Sequence, residues 1–300
     1  MNPYRALYRL LSVAGRPFGG IRPRRLYDVL GRKAYPRPEF AWHRNRWGAE
    51  LYLSHYYHID RNIIILGCYD QDLHQALEHL VKPGMVCFDV GANLGEMALH
   101  MAALAGPTGA VHAFEPVPAV YERLAMHAER NGLPNLRPHQ LALSNRTGRC
   151  SLAYAEASAD NQGLASLVNT AQPAVSLRAE VNAMTLDDFV SREQVRRLDL
   201  MKVDIQGAEI ALLEGGRQSL AGFSPDLLME ISPADLGAAG HNSRDLCRML
   251  EDYGYAIYRI KRGRPGTRIT ASAVTPGFSA TNVYCTKHVP SSQQPVANSP

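Results

Sequence analysis

Phe88-Asp89-Val90-Gly91-Ala92-Asn93-Leu94-Gly95-Glu96 is the stretch on which the architecture of this chain turns. An apolar run, Met85-Val86-Cys87-Phe88, leads into an acid, glycines follow at positions 91 and 95, and Glu96–Leu104 has a helix-forming composition. Strand, glycine-rich turn and helix in that order build the ligand-binding corner of an open α/β sheet, because glycine lets a ligand approach the main chain closely. A dinucleotide fingerprint would read G-x-G-x-x-G and seat a pyrophosphate on the helix start. Here the pattern is D-x-G-x-N-x-G, with Asn93 where the middle glycine would stand. That substitution disfavours a nicotinamide-linked oxidoreductase.

Working outward, the pattern predicts strands over Met85–Val90, Ala110–Phe114, Leu136–Leu143, Leu198–Val203 and Asp226–Ile231. Helices are expected over Ala119–Asn131 and Ser243–Tyr253, and further strands over Ala256–Arg259 and Asn282–Cys285. Cys150–Tyr154 and Ser176–Val181 read as the strands of an inserted hairpin. Such alternation implies an α/β fold, a mostly parallel sheet with helices on both faces. Upstream, Tyr4, Leu7, Tyr8, Leu10 and Leu11 share a helical face, Trp47–Leu66 is strand-like, and Leu73, Leu77, Leu80 and Val81 return to helical spacing. Residues 1–80 are therefore expected to be a basic lead-in packing on a domain at 81–288. Residues 289–300, rich in Ser, Gln and Pro, read as a disordered tail.

The chain has 300 residues, 46% apolar and 20% charged, which suits one globular domain with appendages. Its five cysteines, Cys68, Cys87, Cys150, Cys247 and Cys285, form no C-x-x-C pair, so neither a disulfide framework nor a zinc site is expected, and the histidines show no metal-ligand spacing. A cytoplasmic protein is the expectation, since no apolar run approaches bilayer length and arginines interrupt the N-terminal apolar stretch. Net charge is +4, but residues 1–50 carry +8 and the remainder −4. A basic arm of this kind suits peripheral contact with an anionic membrane, or with nucleic acid. A solvated arm folded onto its own domain is the plainer alternative.

Ligands in open α/β sheets bind at the carboxyl ends of the strands. Four expected strands end there in an acid: Asp89, Glu115, Asp204 and Glu230. An unpaired carboxylate is costly to bury, so the repetition points to a shared pocket. Glu115 follows Gly95 by 20 residues, the spacing at which an acid accepts hydrogen bonds from a ribose diol. Asp89 either orients the glycine turn or meets an amino group of the ligand. Asn93 either contacts the ligand or holds a left-handed turn.

At this point the chain resembles the FkbM-type family of class I S-adenosylmethionine-dependent methyltransferases. The residues that carry the likeness are Lys82-Pro83-Gly84, Phe88–Gly95, Phe114-Glu115-Pro116, Leu141-Ala142-Leu143-Ser144, Asn161-Gln162-Gly163, Thr185–Phe189 and Asp199–Glu209. They run in the family's order across residues 80–285. The family usually has Glu in its K-x-D-x-E-G-A-E motif where this chain has Gln206. The resemblance implies a Rossmann-like, seven-stranded methyltransferase fold and S-adenosylmethionine as cofactor. It places Asp89, Gly91, Asn93, Gly95, Glu115 and Pro116 at that cofactor.

The resemblance also implies O-methylation of a hydroxyl on a sugar, glycan or natural-product acceptor. An alkyl hydroxyl is a weak nucleophile until its proton is drawn off, so a positioned base is needed. Asp204 is the first candidate, with a structural role in the Gly207 turn as its rival, and Glu230 the second. Glu209 suits a helix cap. Two other functions stay open: a nucleic-acid methyltransferase gripping phosphate with the basic arm, and a cofactor-binding module without turnover. Neither the acceptor nor the oligomeric state is legible.

Overall fold

The computed structural model describes residues 4–5, 7, 29–31, 33–154, 165–166, 177–275 and 277–288. Most of the expected N-terminal amphipathic helix, much of the insertion and the C-terminal tail lie outside these residues. The first strands, β1 (Phe40–Arg44) and β2 (Glu50–Ser54), form an antiparallel hairpin with Phe40 opposite Ser54. Asn45 shapes its turn, its Oδ1 accepting from the N–H groups of Trp47 and Ala49 at 3.1 and 3.0 Å. The strand-like reading of residues 47–66 holds at Glu50–Ser54, and the next segment corrects it over its second half. His58–Leu66 is an α-helix that ends at Gly67, left-handed at φ 86°.

Three consecutive isoleucines favour a strand locally, but the preference is only a few tenths of a kcal/mol per residue. Tertiary packing outweighs it here. Asp60, Arg61, Asn62, Ile63 and Ile65 are buried, and Arg61 Nη1 donates to the carbonyls of His55 and Tyr56 at 2.9 and 3.0 Å. A second helix, Gln71–Leu80, is capped by Asp70, whose Oδ1 accepts the Leu73 N–H.

The sheet proper then begins: β3 (Val86–Val90), helix Glu96–Ala105, β4 (Ala110–Phe114), helix Pro118–Arg130 and β5 (Leu136–His139). The chain leaves the main sheet at this point. β6 (Ala142–Leu143), β7 (Gly148–Tyr154), β8 (Ala165–Ser166) and β9 (Leu177–Met184) form a separate four-stranded sheet ordered β6-β9-β7-β8. The single strand expected over Leu136–Leu143 is thus two strands in two sheets. Ala142 and Leu143 pair in parallel with Ala183 and Met184 rather than continuing beside β4.

Helix Leu186–Arg192 returns the chain to β10 (Leu200–Val203), followed by helices Glu209–Gly215 and Arg217–Phe223 and by β11 (Asp226–Ile231). Helices Pro233–Ala238 and Ser243–Asp252 precede β12 (Ala256–Lys261), β13 (Arg264–Ile269) and β14 (Thr281–Thr286). The main sheet has the order β13-β12-β14-β11-β10-β3-β4-β5. Pairing is parallel from β11 to β5 and antiparallel among β11, β14, β12 and β13.

β13 is an eighth strand that the sequence pattern conceals. Arg264-Pro265-Gly266-Thr267-Arg268 has the polar, proline-bearing character of a sheet edge. Its two-residue turn, Arg262-Gly263, has positive φ at both positions, 52° and 69°, as a tight hairpin requires.

Side chains alternate across the sheet, so one strand feeds two cores. Phe88, Val90, Phe114, Met201 and Val203 pack on one face against Leu186, Phe189 and Leu212. Cys87, Val111, Ala113, Leu200 and Leu228 pack on the other against Leu77, Leu99 and Met101. All five cysteines are free thiols. Among the described residues, no helix is long and apolar enough to cross a membrane.

Candidate active site

Two chain crossings shape the glycine turn between β3 and the Glu96–Ala105 helix. Gly91 has φ +79°, and a Cβ there would lie 1.9 Å from the Asp204 carbonyl oxygen, so β10 passes too close for any side chain. Gly95 has φ +93°, and its Cβ would meet Leu124 Cδ1 at 2.4 Å, which makes it the packing point for the Pro118–Arg130 helix. Between them Asn93 also holds a left-handed conformation, φ 51°. Its Oδ1 accepts the Leu94 N–H at 2.7 Å.

Glu115 stands at the end of β4 and ties this turn to the next strand. Oε2 accepts the Asn93 N–H at 3.0 Å and Oε1 accepts the Val117 N–H at 2.9 Å. Burial pushes its carboxyl up to about 7, although both backbone hydrogen bonds oppose the shift.

Beneath the turn, Asp89 is fully buried, with Lys202 Nζ 3.0 Å from its Oδ1. The same ammonium donates to the Gly91 carbonyl at 2.9 Å. Burial works against the charge on Lys202, but Asp89, Asp204 and Glu115 around it outweigh that and raise its pKa. Asp89 therefore acts on the turn through Lys202.

At the end of β10, Asp204 Oδ1 accepts from Gln206 Nε2 at 2.7 Å. Gln206 is left-handed, φ 52°, and is followed by Gly207 at φ +100°, where a Cβ would come within 2.5 Å of the Asp235 carbonyl oxygen. Glu209 is buried in this bend, its Oε1 accepting the Gly207 N–H at 3.2 Å. On β11, burial and then the neighbouring charges of Asp204, Asp235, Glu209 and Asp70 push Glu230 up to about 7.

These strand ends surround one cavity of about 300 Å³. Gly91, Asn93, Glu115, Pro116, Asp204 and Glu230 all line it. Asp89 and Gly95 do not, being one layer below and behind the turn. Apolar side chains of Phe114, Leu141, Leu143 and Leu152 also line it.

Several lining residues escape sequence reasoning. Lys202 had a readable signal, since a lysine inside a four-residue apolar strand demands a buried acid, and its register partner is Asp89. His58, Tyr69 and Asp70 come from the lead-in, and Asn282 from the last strand. Only the fold brings them to the pocket.

The lead-in is held against this site by its own polar contacts. His127 Nδ1 donates to the Leu94 carbonyl at 2.8 Å, while its Nε2 accepts the Tyr52 N–H at 2.8 Å. Arg123 Nη2 reaches Asp60 Oδ2 at 2.7 Å and the Tyr52 carbonyl at 3.0 Å.

Comparison with known proteins matches this architecture to methyl transfer. A family model described as the methyltransferase FkbM domain matches residues 89–257. Over 221 residues the chain is 26% identical to the 31-O-demethyl-FK506 methyltransferase FkbM of Streptomyces tacrolimicus, covering 66% of this chain and 80% of that protein. It is 28% identical over 158 residues to the 2-O-methyltransferase NoeI of Sinorhizobium fredii, covering 49% of this chain and 63% of that one. Similarity to the hexuronic acid methyltransferase AglP of Haloferax volcanii is 24% over 183 residues, with 61% of this chain and 68% of that one covered. The family match spans more than half the chain and begins at Asp89, below the glycine turn; the protein belongs to the FkbM methyltransferase family.

Proposed function

We propose that this protein uses S-adenosylmethionine to O-methylate a hydroxyl on a sugar, glycan or natural-product acceptor. The observation that carries the reading is the grouping of Glu115, Asp204 and Glu230, from three strand ends, around one cavity that apolar side chains also line. The donor set fits the cofactor. A buried carboxylate with its two backbone bonds already made retains lone pairs for a ribose diol, and the leucines offer a dry face to an adenine ring.

When bound, S-adenosylmethionine supplies a methyl group on a sulfonium, so a C–O bond forms as an S–C bond breaks. The protein's share is alignment and proton removal. Holding the acceptor oxygen in line contributes about 7–11 kcal/mol in well-oriented cases. Glu230 takes the hydroxyl proton in this reading, because a carboxyl poised at about 7 is matched to neutral pH. Asp204, engaged by Gln206, shares the cavity wall with Glu230 and positions the acceptor. Two relatives' names, 31-O-demethyl-FK506 methyltransferase and 2-O-methyltransferase, support an oxygen acceptor.

Calorimetry tests the reading directly. S-adenosylmethionine and S-adenosylhomocysteine should bind the full chain, and Glu115→Ala should weaken both by about 10–100-fold, the loss of one or two charge-assisted hydrogen bonds. Absence of binding by either nucleoside would sink it.

A further inference from the structure

The cavity is far more acidic than its apolar lining requires. Asp70, Glu96, Glu115, Asp204 and Glu230 line it, against Lys202 as the one lysine or arginine among the described lining residues. That ammonium is already committed to Asp89 and to the Gly91 carbonyl. Glu96 is 5% exposed, and its Oε2 accepts the Tyr69 N–H at 3.1 Å. Its Oε1 takes no hydrogen bond among the described residues and lies 3.5 Å from His74 Nε2.

At the same cavity, Tyr69 is 38% exposed, with the His58 ring edge-on at a centroid distance of 6.3 Å. Asp70 adjoins it in sequence, its Oδ2 accepting from Asn282 Nδ2 at 2.9 Å. An aromatic face beside paired carboxylates matches the two faces of a saturated ring, C–H groups on one side and hydroxyl donors at the edge. A second anion brought into this space would lose its water with no unpaired lysine or arginine among the described lining residues to meet it.

We propose that Tyr69, Asp70 and Glu230 form an acceptor subsite that takes an uncharged or amine-bearing polyhydroxylated ring and rejects anionic ones. Hydroxyl groups donate to the carboxylates, an ammonium pairs with them, and the ring stacks on Tyr69. The inference rests on the methyl-transfer reading above and narrows it to an acceptor of stated charge.

The test is calorimetry on the full chain saturated with S-adenosylhomocysteine, using methyl glucoside, methyl glucosaminide and methyl glucuronide, which differ at one substituent. The glucoside and glucosaminide should bind, with the glucuronide weaker by about ten-fold or more. Asp70→Asn should weaken the glucosaminide more than the glucoside, and Tyr69→Ala should weaken both while S-adenosylhomocysteine still binds. Equal or tighter binding of the glucuronide overturns the proposal, as does failure of all three to bind the saturated protein. If S-adenosylhomocysteine itself does not bind, the underlying methyl-transfer reading falls and takes this one with it.

Discussion

Lys202 and Asp89 face each other across the parallel strands β10 and β3, Nζ to Oδ1 3.0 Å, with the ammonium also holding the Gly91 carbonyl at 2.9 Å. The pair is closed to water, so neither charge tolerates loss of the other. Lys202→Met should destabilise the fold by about 3–5 kcal/mol, because Asp89 is left buried and unpaired. Asp89→Asn combined with Lys202→Met should recover part of that loss. Denaturant unfolding of the single and double variants checks it; additive losses would mean the two charges do not act as a pair.

Gly91 and Gly132 both have positive φ, 79° and 59°, but only Gly91 is crowded, since nothing lies within 4 Å of a Cβ at Gly132. Gly132→Ala should cost about 1–2 kcal/mol, the backbone penalty alone. Gly91→Ala drives a methyl into the Asp204 carbonyl and should cost about 4 kcal/mol or more, with loss of nucleoside binding. Similar melting temperatures for the two variants would count against the close crossing of β3 and β10.

If Glu230 accepts the hydroxyl proton, the rate must follow its ionisation. With its carboxyl raised to about 7 by burial and by neighbouring acids, kcat/KM should climb as pH rises through that value and then level. Glu230→Gln should lower kcat by about 10²–10⁴-fold and abolish the climb. A variant that keeps both rate and pH profile would shift the duty to Asp204.

Burial lowers His127 from 6.5 to about 4, so the native ring is neutral, donating to Leu94 and accepting from Tyr52. Between those two values the unfolded chain holds the extra proton and the native state does not. Stability carried by His127 is therefore complete above 6.5 and is lost as pH falls toward 4. The Tyr52 amide should lose hydrogen-exchange protection, measured against its intrinsic rate, as pH falls through about 4, because a protonated Nε2 no longer accepts its N–H. His100 and His112, lowered by burial to about 4 and about 3, add to the same acid sensitivity. Unchanged Tyr52 protection down to acid pH would remove His127 from this role.

Much of the architecture was legible because it is written in local pattern. Ala110–Phe114 and Asp226–Ile231 are apolar runs bounded by turn residues, and both are strands with the expected limits. Where pattern and structure part, a distant contact is responsible. Ile63–Ile65 becomes helical because Arg61 fastens to carbonyls upstream of it, and Ala142-Leu143 leaves the main sheet because β9 offers a partner there. Neither partner is visible from within the segment itself.

The candidate site divides along the same line. Acids closing apolar strands, and glycines around Asn93, are properties of single segments, and residue order alone marks Glu115, Asp204 and Glu230 as pocket-facing. Strand register then pairs Lys202 with Asp89, and the packing of the lead-in carries Tyr69 and Asp70 to the cavity. Those associations join residues more than a hundred positions apart, or elements that meet only after collapse. They depend on which surfaces are buried together, a quantity that no window of neighbouring residues contains.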